Sequence, residues 1–115
     1  MNNVLNGFNV NEVTLHTNDE FEVGMAVCID ENCEAVRPAD NERFVGICTA
    51  VNGEYISVTF TGILTVPYSG TEMYTGYNPL TAAADGNIRF SVSSSTEYYV
   101  ISFDEDKKLM TFLLK

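Results

Sequence analysis

Apolar and polar residues alternate in short runs along this chain, broken every ~8–12 residues by Gly, Asn, Asp or Pro. The clearest case is residues 44–60, FVGICTAVNGEYISVTF. Asn52-Gly53 suits the centre of a two-residue type I′ turn, where both residues need positive φ. That turn predicts Val45 opposite Phe60, Ile47 opposite Val58 and Thr49 opposite Ile56 on one face. Gly46/Thr59, Cys48/Ser57 and Ala50/Tyr55 then share the other. One face is largely apolar and the other small or polar, as in a half-buried antiparallel sheet.

The rest of the chain reads in the same way. Glu12 to His16 makes a short strand, Asn18-Asp19-Glu20 a polar turn, and Gly24 opens a strand through Asp30. Its return, Cys33 to Arg37, stops at Pro38, which cannot donate to a ladder. After Gly62, the residues Leu64, Val66 and Tyr68 share a face, and Pro67 marks a strand end or an exposed edge. Residues 69–84 are the least regular part. Ile88, Phe90 and Val92 alternate with Arg89 and Ser91. The last hairpin folds around Asp104 to Lys108, with Tyr99, Ile101 and Phe103 on one face and Tyr98, Val100 and Ser102 on the other. In the final strand Met110, Phe112 and Leu114 oppose Leu109, Thr111 and Leu113. Both faces are largely apolar, so this strand is expected either at the centre of a barrel or under another subunit. A faint echo links Val23-Gly24-Met25-Ala26-Val27 with Thr75-Gly76-Tyr77-Asn78-Pro79-Leu80, each a Gly turn feeding an apolar strand.

About nine short strands of this kind predict an all-β fold, a small antiparallel β-barrel. Residues 12–115 are expected to form that single domain. Residues 1–11, MNNVLNGFNVN, are rich in Asn, which favours turns over ladders. They read as a flexible N-terminal arm whose Val4, Leu5, Phe8 and Val10 order against a neighbour.

Composition narrows the function. The chain has 115 residues, 45% of them hydrophobic, and a net charge of −10 from 16 acidic and 6 basic residues. The cations (Arg37, Arg43, Arg89, Lys107, Lys108, Lys115) assemble no basic face, which argues against nucleic acid as a partner. No apolar run nears the ~18–20 residues of a membrane span, and the N-terminus has no signal-peptide pattern. Three cysteines, Cys28, Cys33 and Cys48, fit neither a zinc pattern nor a disulfide framework. They read as small apolar residues in a reducing compartment. A Cys28–Cys33 bridge under oxidant stays open.

Catalytic chemistry finds little support. His16 is the single histidine and sits beside a turn, outside any nucleophile motif. The acids cluster at turns (Asp19/Glu20/Glu22, Asp30/Glu31, Asp104/Glu105/Asp106), and the last run lacks the spacing of a calcium loop. No enzyme, no catalytic residue, no metal and no cofactor is therefore expected. Tyr68, Tyr74, Tyr77, Tyr98 and Tyr99 are numerous enough for a saccharide- or peptide-binding patch, but they suit a subunit interface better.

From Phe21 to Leu114 the chain resembles the small β-barrel decoration, or capsid cement, proteins of tailed-phage heads. The residues that carry the resemblance are Gly24 to Asp30, Ala35-Val36, Phe44-Val45-Gly46-Ile47, Asn52-Gly53, Ile56 to Gly62, Gly76 to Leu80, and a closing hairpin of Val100 to Asp104 with Leu109 to Leu114. Met25 departs from the family pattern, where an acidic residue often follows the glycine, and so does the aromatic stretch Tyr68 to Tyr77. The resemblance implies a non-enzymatic virion protein, made in the cytoplasm of a bacterial host. It would decorate and stabilise the outside of a phage or prophage capsid. Its partners would be the major capsid protein and further copies of itself, a trimer being favoured. Val4, Leu5, Phe8 and Val10 would dock on the shell, and Tyr74, Tyr77, Leu109 and Leu113 would meet neighbouring subunits. The alternatives are a tyrosine-rich saccharide- or peptide-binding barrel and a head–tail or tail component of similar architecture.

Overall fold

A computed structural model describes residues 12–114, and among them the regular structure is entirely β. Ten strands follow one another: β1 (Glu12–His16), β2 (Ala26–Ile29), β3 (Ala35–Val36), β4 (Gly46–Asn52), β5 (Tyr55–Thr59), β6 (Gly62–Ser69), β7 (Gly76–Ala82), β8 (Ile88–Phe90), β9 (Glu97–Asp104) and β10 (Leu109–Leu114). The expected all-β barrel is present, but the strands form two groups. The first five make a sheet in the order β1-β5-β4-β2-β3, and the last five close into a barrel, β10-β6-β8-β7-β9. Residues 69–84, read as irregular, contain β7.

The two groups repeat one topology. Advancing each label of the first sheet by five reproduces the ring order of the barrel. The sense of every pairing also matches. β1–β5, β5–β4, β4–β2 and β2–β3 are antiparallel, as are their counterparts β6–β10, β10–β9, β9–β7 and β7–β8. The barrel closes through the parallel pair β6–β8, where Tyr68 meets Ile88. In the first sheet a lone parallel bridge, Thr17 to Ala35, stands in the same place. Gly24 stands two residues ahead of β2 and Gly76 opens β7, both at φ +98°. By strand register Ala26 matches Tyr77, so the two glycines of the sequence echo introduce equivalent strands but lie one residue out of step.

The central hairpin is shifted from its expected register. Asn52 pairs with Tyr55, so Gly53 and Glu54 form the loop. Gly53 alone of the two has positive φ, +66°, the pattern of a type II′ turn with glycine at its first central position. Ala50 consequently faces Ser57 rather than Tyr55, and Val51 faces Ile56. A bulge at Thr49 then displaces the register again, giving Cys48/Val58 and Ile47/Thr59 in place of Cys48/Ser57 and Ile47/Val58. Val45 is half exposed and lies before the paired residues of β4. The last hairpin carries the equivalent bulge at Ile101, so Tyr98 and Val100 point inward before it and Phe103 after it. An extra residue bends and twists its strand, here at the matching place in both units.

Two cores result. Cys48, Ile56, Val58, Val27 and Phe21 fill the first unit. Val66, Tyr68, Leu80, Ile88, Val100, Met110, Phe112 and Leu114 fill the second, joined by Ala26, Phe44 and Ile47 from the first. Successive residues Ile47 and Cys48 thus serve different cores, because a strand alternates its faces. Backbone bonds add to the joint: Ala26 N–H donates to Gly86 O (2.8 Å), Asn41 N–H to Ala82 O (2.8 Å) and Ala82 N–H to Glu42 O (3.0 Å). The turn acids act as caps. Asp30 accepts from the amides of Asn32 and Glu34, Asp85 from that of Asn87, and Asp104 from those of Asp106 and Lys107.

Candidate functional site

The outer wall of the closed barrel carries a continuous apolar row. Tyr77 on β7 lies opposite Tyr99 on β9, Tyr99 opposite Leu113 on β10, and Leu113 opposite Ile63 on β6. All four point outward because their inward neighbours, Asn78, Val100, Phe112 and Leu114 among them, fill the interior. Their exposures are 71% for Tyr77, 44% for Tyr99, 43% for Leu113 and 63% for Ile63. The two tyrosine rings meet edge to face with centroids 5.1 Å apart. Farther along the wall, the hydroxyls of Thr65 and Thr111 bond to each other at 2.7 Å, and Leu109 lies opposite Pro67. The bulged Ile101 is exposed as well. An apolar surface spread over four adjacent strands is the kind that marks a protein contact.

Tyr77 and Leu113, read from the sequence as interface residues, therefore come together, with Tyr99 between them. Leu109 shares their wall at the opposite end of β10. The final strand is central, paired on both edges, with its inner face buried and its outer face exposed. Tyr74 lies elsewhere. Its ring packs edge-on against Phe90 at 5.5 Å and its hydroxyl donates to Glu72 at 3.2 Å. The fully buried Asn78 side chain bonds the Tyr74 carbonyl (2.7 Å), the Gly76 carbonyl (2.9 Å) and the Tyr74 amide (3.3 Å). Val4, Leu5, Phe8 and Val10 lie outside the described residues. Sequence reasoning passed over Ile63, although its alternation with Leu64 marks it as outward, and named Tyr99 only within the group of tyrosines suited to an interface, of which Tyr68 and Tyr98 are buried.

The tyrosines form no single patch. Tyr98 is buried, stacked on Phe44 at 5.2 Å, and Tyr68 is buried edge-on to Phe103 at 6.3 Å. Of the cysteines, Cys48 is buried and Cys28 half-buried, its thiol donating to Arg43 O at 3.0 Å. Burial, with Glu42 nearby, pushes the Cys28 thiol up to about 11, and burial raises Cys48 too. All three thiols are free. Among the described residues, no group of three or more His, Cys, Asp or Glu is placed to hold a metal ion. A cleft of about 370 Å³ opens on the first unit beside Phe21, Met25, Arg37 and Ile56. Thr17 lines it at the position where the second unit has Tyr68.

His16 ends β1 between two carboxylates, with Nδ1 2.9 Å from Glu34 Oε2 and Nε2 3.2 Å from Glu54 Oε1. Only the imidazolium can donate from both nitrogens at once. The bond with Glu54, then that with Glu34, raises its pKa above the ordinary 6.5. A folded value above the unfolded one means stabilisation that is complete below pH ~6.5 and fades as pH rises through the folded value. A proton NMR titration of the ring should show a midpoint above 6.5. His16→Gln should lower the denaturation midpoint at pH ~5.5 and leave it nearly unchanged at pH ~8.5; equal losses at both values would remove the ion pairs from the account.

These features define a class: an all-β protein of two topologically equivalent five-stranded units, with an apolar contact surface on the second. Comparisons with protein-family models, with curated proteins and with solved structures yield no significant match.

Proposed function

We propose that this protein is a non-enzymatic virion component that decorates and stabilises the outside of a phage or prophage capsid. The observation that carries the reading is the Tyr77–Tyr99–Leu113–Ile63 row, an apolar surface exposed on an otherwise acidic chain. Such a surface is better suited to a protein neighbour than to solvent. The strand and turn order of the decoration proteins supports it, as does a net charge of −10, which keeps an abundant protein soluble before assembly. On a repeating shell even modest contacts suffice, because each is made at high effective concentration. In this reading the protein is a homo-oligomer, with a trimer favoured, and the major capsid protein is its partner. It is made in the bacterial cytoplasm and resides on the virion surface.

The test is the composition of particles banded by density after prophage induction in the source strain. A copy number comparable to the major shell protein supports decoration. A few copies per particle would assign it instead to the head–tail or tail assembly, and absence from particles would end the viral reading. Deleting residues 1–11 should leave the circular dichroism of the β-structure intact while lowering shell occupancy about tenfold or more, through loss of Val4, Leu5, Phe8 and Val10. Unchanged occupancy would remove the arm from the docking role.

A further inference from the structure

The repeat gives the exposed row a counterpart whose use is visible. In the first unit the equivalent positions are Ala26, Ile47, Thr59 and Glu12: Ala26 faces Ile47, Ile47 faces Thr59, and Thr59 faces Glu12. The bulges fix this equivalence, since Ile47 and Tyr99 each lie two residues before the bulged residue, Thr49 or Ile101. Yet Ala26 is 0% and Ile47 1% exposed, and Thr59 is buried; only Glu12, at the end of the row, is exposed. Ala26 and Ile47 are covered because they join the core of the second unit, beside Val66, Tyr68 and Ile88. Gly24 lies against Pro67 at the same joint. Three of the four positions that the first unit buries within the chain, those of Ala26, Ile47 and Thr59, are left open in the second unit as Tyr77, Tyr99 and Leu113.

The receiving side shows the complementary deficit. On β6, Val66 is buried, and Leu64 packs against the shared cluster. Their counterparts on β1, by register with Phe112 or Val58 and with Met110 or Ile56, are Val13 and Leu15. Val13 is 36% exposed and Leu15 only partly buried, although both pair with residues that face the first core. Sizes run in opposite directions on the two sides. Ala26 and Thr59 are replaced by the larger Tyr77 and Leu113 on the open face, whereas Tyr68 and Ile88 are replaced by the smaller Thr17 and Ala35 on the receiving unit.

We propose that copies of this chain associate head to tail, the Tyr77–Tyr99–Leu113–Ile63 row of one copy covering the Val13–Leu15 side of the next, as the first unit covers the second within each chain. The occupant is a second copy of this chain because the chain already contains one instance of the contact. The two surfaces differ, so the association is heterologous and closes into a ring or continues as a filament. This deepens the oligomer part of the function proposed above but does not depend on a shell. Its test uses purified protein alone, so its failure is separable from failure to find the protein in particles.

The experiment is sedimentation and light scattering of the full chain, with two complementary variants. Tyr77→Glu/Tyr99→Glu removes the row, and Val13→Glu removes the receiving side; all three positions are exposed, and circular dichroism checks that each variant folds. The wild type is expected to form oligomers larger than a dimer, and each variant alone a monomer. An equimolar mixture of the two variants should give a one-to-one heterodimer, because it restores a single interface. A full-length wild type that stays monomeric overturns the proposal, including the case in which removing residues 1–11 then releases association. A Val13→Glu protein that still self-associates like the wild type, with no complementation in the mixture, also overturns it, since the row would then pair with itself.

Discussion

Phe112→Ala is expected to destabilise the protein by about 3–5 kcal/mol, the cost of an emptied aromatic site in a packed core. Phe112 is fully buried at the centre of the closed barrel, paired with Val100 on one side and Leu64 on the other. Its ring meets Tyr98 edge-on at 5.9 Å, and Tyr98 stacks on Phe44 of the first unit at 5.2 Å. A cavity here therefore loosens both the barrel and its joint with the first unit. Leu113→Ala, one residue on, removes a side chain from the outer wall and should cost the isolated monomer about 0.5 kcal/mol or less. Denaturant midpoints of the two variants at unchanged slope make the comparison, and similar losses would contradict the inward and outward assignment of β10.

The second large effect separates two glycines with the same φ. Gly24 and Gly76 open equivalent strands at the same φ, +98°, where an L side chain is strained. A Cβ on Gly76 meets nothing within 4 Å, whereas one on Gly24 would stand 2.6 Å from Pro67 Cδ. Gly76→Ala should cost only the backbone term, about 1–2 kcal/mol. Gly24→Ala should cost that plus about 1–3 kcal/mol of overpacking, because proline has no rotamer by which to retreat. Equal losses in urea unfolding would mean that the joint yields freely around Pro67.

Much of this architecture is legible locally. The inward triad Leu64, Val66, Tyr68, the opposed faces of Met110/Phe112/Leu114 and Leu109/Thr111/Leu113, and the turn role of the clustered acids all follow from alternation and turn chemistry. The hairpin at 44–60 was placed correctly but set in the wrong register. Asn-Gly suits a type I′ turn, but Gly53 also suits the first central position of a type II′ turn, and the register found is the one that turns Ile56 and Val58 into the first core. The bulges at Thr49 and Ile101 carry no glycine and no polarity cue, so nothing in the local sequence marks them. Tyr77, as one of many tyrosines, and Leu113, on the second apolar face of the last strand, could be named as contact residues, but their meeting with Tyr99 and Ile63 depends on β7, β9, β10 and β6 lying side by side.

What this chain determines by itself is a set of short amphipathic strands, their turns and two Gly-led starts, because these depend on neighbours in sequence and on the two-residue period of a strand. Whether ten such strands would make one barrel or two equivalent units, and which apolar face would be left open, was decided only in three dimensions. Those outcomes rest on long-range pairings such as Thr17 with Ala35 and Tyr68 with Ile88, and on Ala26 and Ile47 finding cover in the second core. A buried and an exposed apolar row look alike along the chain, since the difference lies in what packs against them.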